Sequence, residues 1–203
     1  MPELTDRQKE ILNAAIDIIS EAGIQGFSIR ALAGRVGVTE PAIYRHFENK
    51  DQIMLQAIAY IGRHWQKLLR GLVVPDKPAL EELEIIYRGV VQNIAANWPM
   101  TVTLYSSGIY INDKQIIKEI FDLMELGTHL SDDILRRGQR DGSIRRDVGS
   151  RQLAEILVGT LRNLIERWNL SGQPFDLGHA WEQTWGGLRT MLASPVADRA
   201  ARA

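Results

Sequence analysis

The chain has 203 residues, 45% of them apolar and 24% charged, and its 24 Lys+Arg against 25 Asp+Glu leave a net charge of −1. That balance belongs to folded globular proteins; it excludes disordered and collagen-like chains and any protein that coats nucleic acid through bulk positive charge. Cysteine is absent, which removes disulfides, thiolate zinc sites and cysteine nucleophiles together.

The four histidines form no HExxH pair, and no Ser/His/Asp order or phosphate loop is present. No enzyme, metal or cofactor is expected, and Asp132-Asp133 reads as a solvated helix face. The polar N-terminus MPELTDRQKE lacks an apolar signal region, so a cytoplasmic location is expected. Gly89 to Asn112 carries no charge and is long enough to span a bilayer. It also contains Gln92, Asn93, Asn97 and Pro99, and is read as buried structure with no membrane role.

The signals along the chain are helical. Thr5 and Gln8 have capping-box spacing, followed by an apolar stripe of Ile11, Leu12, Ala15, Ile18, Ile19 and Ala22 that stops at Gly23 and Gly26. Ser28 can cap a short second helix, and Gly37-Val38-Thr39 forms a turn. Thr39 can cap a third helix with Pro41 in its first turn. Asn49 with Gln52 opens a longer fourth helix through Ile53, Ile61 and Trp65 to Leu72, broken at Val73–Pro78. A fifth runs from Leu80 to Trp98 and a short sixth covers 100–110. A seventh starts at Asn112 or Asp113 and ends near Gly142. An eighth carries Leu153, Leu157, Leu161, Leu164 and Trp168, and a ninth, capped by Asp176, carries Trp181, Trp185, Leu188 and Leu192. No strand pairs emerge. The expected fold is all-α with nine helices: a three-helix helix-turn-helix domain over 1–50, a ligand-binding and dimerisation bundle over 51–193, and a disordered tail over 194–203.

Residues 28–47 carry the sharpest signal. Two helices that cross closely need a small residue at the crossing, supplied by Ala33. The turn four positions on needs a positive φ, supplied by Gly37. Val38 and Ile43 fill the angle, and Phe47 anchors the far end. Between Ser28 and Lys50, Arg30, Arg35, Arg45 and Lys50 outnumber Glu40 and Glu48, a local excess of positive charge that phosphate neutralisation requires. The pattern alone also fits an ordinary helical hairpin.

The run Gly37-Val38-Thr39-Glu40-Pro41-Ala42-Ile43-Tyr44-Arg45-His46-Phe47-Glu48-Asn49-Lys50-Asp51 resembles, almost position for position, the DNA-binding signature of the tetracycline-repressor (TetR) family of bacterial regulators. Gly26 to Ala33 resembles that family's second helix, and Gly142 to Asp147 a common turn before its eighth. The resemblance implies that Thr39, Tyr44, His46 and Lys50 hold phosphates of a double-stranded DNA operator. It implies that Pro41 and Ala42 face base edges and that Ser28 and Arg30 brace the flanking backbone. Arg45 would read guanine or grip phosphate, and Glu40 would accept from a cytosine amine. Tyr44 as a partly core residue and Glu40 as a helix N-terminal residue stay open.

One recognition helix reads few base pairs, so a twofold homodimer spanning successive major grooves is expected. The tryptophans crowding the last two helices, and Gly186-Gly187, which allows close backbone approach, suggest an interface of Leu161, Leu164, Trp168, Trp181, Trp185 and Leu188. The same tryptophans could instead fill the core of one chain, and Trp168 could line a pocket. Trp98, Thr101, Tyr105 and Tyr110, with Phe121, Met124 and His129 closing the other side, suggest a cavity for an apolar or aromatic effector. Satisfied core hydroxyls are the competing account. Effector binding would reset the splay of the two N-terminal modules through the fourth helix. A helical interaction or small-molecule-binding protein of the same fold with weak or no DNA binding is the alternative.

Overall fold

Every helix leaves its first N–H groups without intrahelical partners, and side chains that satisfy them mark four of the helix starts here. A computed structural model describes residues 4–105, 114–172 and 175–195. Among these it forms α1 (Asp6–Gly26), α2 (Ile29–Val36), α3 (Glu40–Tyr44), α4 (Lys50–Leu72), α5 (Ala79–Ala96), α6 (Trp98–Tyr105), α7 (Lys114–Asp141), α8 (Ser150–Leu170) and α9 (Leu177–Leu192).

Thr5 and Gln8 make the full reciprocal capping box on α1. Ser28 accepts from the Ala31 N–H at 3.1 Å, and Asp176 from the His179 N–H at 2.7 Å. Asn49 accepts from the Gln52 N–H at 2.8 Å, while the Gln52 side chain reaches back to the Glu48 N–H at 2.6 Å. Thr39 departs from expectation: it stands at the N-cap of α3, but its hydroxyl makes no capping bond.

The chain divides into two compact units, one formed by the chain through Trp65 with Asn97–Leu123, the other by Gln66–Ala96 with the chain from Met124 onward. In the first, α2 packs on α1 and α3 on α2. Ile11, Leu12, Leu32, Ala33, Ile43, Phe47, Ile53 and Ile61 form its core. Helix α6 also packs on α1. The Thr103 hydroxyl, fully buried, donates to the Pro99 carbonyl at 2.9 Å and to the Ile16 carbonyl at 3.5 Å. The uncharged stretch is therefore partly spent on covering α1, which explains its lack of charge without a membrane. No helix among the described residues is long and apolar enough to cross one.

In the second unit α9 packs on α5 and α8. The turn after α7 enters it closely. A Cβ on Gly138 would lie 2.4 Å from Ile144 and 2.7 Å from Ala79, so only glycine fits there. Ile144 pairs with Ala193 in an isolated antiparallel bridge, and the Ser194 N–H donates to the Ser143 carbonyl at 3.0 Å. The first residue of the expected tail is thus held by backbone pairing; residues 196–203 lie outside the described part.

Buried charge appears where the sequence suggested a solvated face. Asp132 is 6% exposed and paired with Arg136, while Asp133 alone faces water. The i, i+4 guanidinium makes that burial tolerable. Glu82, fully buried, accepts from Arg137 and from the Val74 N–H at 3.3 Å; Arg137 also donates to the Pro75 carbonyl at 2.9 Å. The two side chains together clamp the segment between α4 and α5.

Candidate nucleic-acid interface

The turn between α2 and α3 depends on Gly37, which adopts φ 75°, ψ 35° in the left-handed region and donates its N–H to the Gly34 carbonyl at 3.3 Å. Val38 then donates to the Ala33 carbonyl at 2.9 Å. This locks α3 across α2 with Ile43 fully buried and Phe47 2% exposed. With those two facing inward, helical geometry turns the intervening residues outward. Thr39, Glu40, Pro41, Arg45 and Lys50 are exposed, Tyr44 is 48% exposed, and Ala42 and His46 are half-buried. Tyr44 is therefore not a core residue. Ser28 and Arg30 are exposed at the start of α2. The structure brings these ten predicted residues to the starts of α2 and α4 and along α3 and the turn after it, within one unit.

The local positive charge is smaller than the count of cations suggests. Arg35 donates to both Glu21 carboxylate oxygens, at 3.0 and 2.5 Å. That pairing holds the Glu21 carboxyl below its usual range and raises the Arg35 guanidinium. Arg35 is thus committed to α1. Lys50 has its ammonium over the Phe27 ring, 5.2 Å from the centroid. Phe27 was not singled out by sequence reasoning; its place directly before the cap Ser28 was the available signal.

The predicted dimer residues lie elsewhere than expected. Leu161, Leu164, Trp168, Trp181, Trp185 and Leu188 are all buried within the single chain. Trp181 and Trp185 stack on Tyr87, with centroids 5.4 and 6.5 Å away and planes 15° apart. Trp168 donates its indole N–H to the Phe175 carbonyl at 2.9 Å. The inward stripes of α8 and α9 build the monomer core, because a ring pair in register with α5 buries more apolar surface than α5 could cover alone. The opposite faces remain open: Ile156 is 46% exposed, Leu170 79% and Met191 55%. Gly159, Asn163, Gly186 and Gly187 stand exposed beside them.

The predicted ligand residues on α7 are exposed. Phe121 is 59% exposed and Met124 44%. His129 lies on a charged face of α7, 3.3 Å from Glu125, which also accepts from Arg151 at 2.8 Å. Ile116, Ile134 and Leu135 of the same helix are buried. Trp98 is half-buried. Thr101 is 2% exposed, and its hydroxyl has no hydrogen-bond partner among the described residues. Tyr105 closes α6, and Tyr110 falls outside the described residues. An open groove of about 520 Å³ lies between α1 and α2 beside Arg35, lined by none of these side chains. Among the described residues no three His, Asp or Glu side chains cluster as metal ligands.

A helix-turn-helix with an outward polar comb, followed by a helical bundle, defines the class of DNA-binding regulators. The tetR family of bacterial regulatory proteins matches residues 11–57, and the C-terminal region of YsiA-like proteins matches residues 81–188. The chain belongs to the tetR family, as a DNA-binding transcriptional regulator and not an enzyme. It is similar to the fatty acid metabolism regulator protein of Bacillus subtilis, 19% identical over 87% of this chain and 91% of that one. It is also similar to the nucleoid occlusion factor SlmA of Vibrio vulnificus, 23% identical over 93% and 96%. Its fold matches the crystal structure of the regulator FadR from Bacillus subtilis in complex with stearoyl-CoA, with TM-score 0.76, 20% identity and coverage of 91% and 98%.

Proposed function

We propose that this protein is a cytoplasmic repressor that binds a palindromic operator as a homodimer and is released by a small effector with an apolar or aromatic body. The observation that carries this reading is the exposure of Tyr44, Arg45 and Lys50 above a buried Ile43 and Phe47. A side-chain comb that fed the core could not meet a duplex. Thr39, Tyr44, His46 and Lys50 hold phosphates; the uncapped Thr39 hydroxyl is available for that role. Pro41, Ala42 and Glu40 face bases, Arg45 reads guanine or phosphate, and Ser28 with Arg30 braces the backbone.

The homodimer forms through the outer faces of α8 and α9, where Ile156, Leu170 and Met191 are exposed and Gly186 and Gly187 would meet nothing within 4 Å even with a Cβ. The effector enters near α6, where the Thr101 hydroxyl has no partner among the described residues and a ligand oxygen would satisfy it. Long-chain acyl thioesters are the first class to try, given the stearoyl-CoA complex of the FadR relative. The effector acts by differential affinity for two settings of the N-terminal units, and α4, which runs from Lys50 to Leu72, transmits it.

The test is an electrophoretic shift on the promoter beside the gene. Tyr44→Ala with Lys50→Ala abolishes a shift that weakens with salt, and losing Lys50 lowers the salt slope by about 1. Unchanged binding by the double variant refutes the phosphate assignments. A panel of acyl thioesters and aromatic acids that leaves both the shift and the melting temperature unmoved refutes the effector class.

A further inference from the structure

The start of α4 is fixed at the backbone by Asn49 and Gln52, whose bonds to the Gln52 and Glu48 N–H groups are 2.8 and 2.6 Å long. Among the described residues no hydrogen bond or ion pair fixes the Lys50 side chain, a flexible four-carbon stem with a mobile ammonium. What meets the ammonium is an aromatic face: the Phe27 centroid lies 5.2 Å from Nζ. Phe27 is 1% exposed, so its ring is itself held by the core. It directly precedes Ser28, the N-cap of α2. One residue therefore joins the starts of the two helices that carry Ser28, Arg30 and Lys50.

The choice of partner matters electrostatically. A carboxylate partner would orient a cation and also cancel its charge, as Glu21 does for Arg35 at 2.5 Å. A ring face attracts the ammonium through its quadrupole, carries no net charge and makes no hydrogen bond to it. Lys50 keeps its full charge and its three N–H donors for an incoming phosphate while losing part of its conformational freedom beforehand.

We propose that Phe27 is a positioning residue for DNA binding: its ring face pre-sets the Lys50 ammonium toward the duplex backbone without neutralising it. This rests on the reading of Lys50 as a phosphate contact.

The test is a double-mutant cycle of Phe27→Leu and Lys50→Gln, read as affinity for a short duplex of random sequence, since a phosphate contact does not depend on base order. Phe27→Leu weakens binding about two- to fivefold when Lys50 is present and leaves the Lys50→Gln protein unchanged. Pentafluorophenylalanine at position 27 keeps the ring's shape and reverses its quadrupole; it gives the same loss with an unmoved melting temperature, and it serves if the leucine variant does not fold. Equal weakening in both backgrounds, or full binding by the fluorinated protein, overturns the proposal. The ring-current upfield shift of the Lys50 ε-methylene protons is read separately. If it is present and Lys50→Gln still binds like the parent, the phosphate reading of Lys50 has failed and takes the proposal with it. If it is absent, the Phe27–Lys50 contact itself has failed.

Discussion

Trp181 of α9 lies nearly parallel to Tyr87 of α5, with centroids 5.4 Å apart and planes inclined by 15°. The Tyr87 hydroxyl in turn meets the Ser131 hydroxyl at 2.8 Å, and burial pushes the Tyr87 phenol well above its ordinary range despite that bond. The aromatic stack is thus an internal girder of the second unit. Trp181→Ala destabilises the protein by about 3–5 kcal/mol through loss of a large buried ring, whereas Trp181→Phe costs less. Urea unfolding followed by circular dichroism measures both.

The proposed dimer depends on different residues. Ile156→Glu or Met191→Glu places a charge on the exposed faces of α8 and α9 without disturbing the core. Each variant sediments as a monomer, keeps the monomer's helical content and loses operator affinity. A dimer that survives both changes places the interface elsewhere.

Gly37 sits at φ +75°, and a Cβ there would meet nothing within 4 Å. The cost of Gly37→Ala is therefore purely conformational, about 1–2 kcal/mol from the left-handed backbone. It falls on the turn that sets α3 across α2. A drop in melting temperature accompanied by weaker DNA binding is the expected pair of results.

Two carboxylates respond to pH in opposite senses. Asp141 accepts from the Ser143 N–H at 2.9 Å, and hydrogen bonds from Ser143 hold its carboxyl below the ordinary value of 3.8. Its contribution is present above that value and disappears as pH falls through the lower folded value. Asp17 is raised by burial, a shift that Arg35 opposes and Glu21 reinforces. Its contribution is present at low pH and disappears as pH rises through the raised folded value. Relative to the parent, Asp141→Asn is less stable at pH 6 and equal in strong acid. Asp17→Asn is more stable at pH 6. Denaturation midpoints across an acid series distinguish the two.

The pair of Glu82 and Arg137 holds the segment between α4 and α5, with Glu82 fully buried. Arg137→Met leaves that carboxylate without its counter-ion and costs about 3–5 kcal/mol. Glu82→Leu combined with Arg137→Met recovers most of the loss, a comparison read from melting curves.

The primary structure alone determined the features that depend on near neighbours. Thr5 with Gln8, Ser28, Asn49 and Asp176 announce helix starts because each bonds an N–H within three residues of itself. Gly37 announces its turn because the left-handed backbone is a property of one residue. The outward comb of α3 follows from burying Ile43 and Phe47. Only the tertiary structure decided which neighbour each apolar stripe would meet. Trp181 and Trp185 have the same spacing whether they face a second copy or their own chain; within this chain they stack on Tyr87 of α5. Phe121, Met124 and His129 share a helix with Ile134 and Leu135, yet they are exposed where those two are buried. Periodicity fixes which residues share a face, but burial is a relation between distant segments, and that relation exists only once the chain has packed.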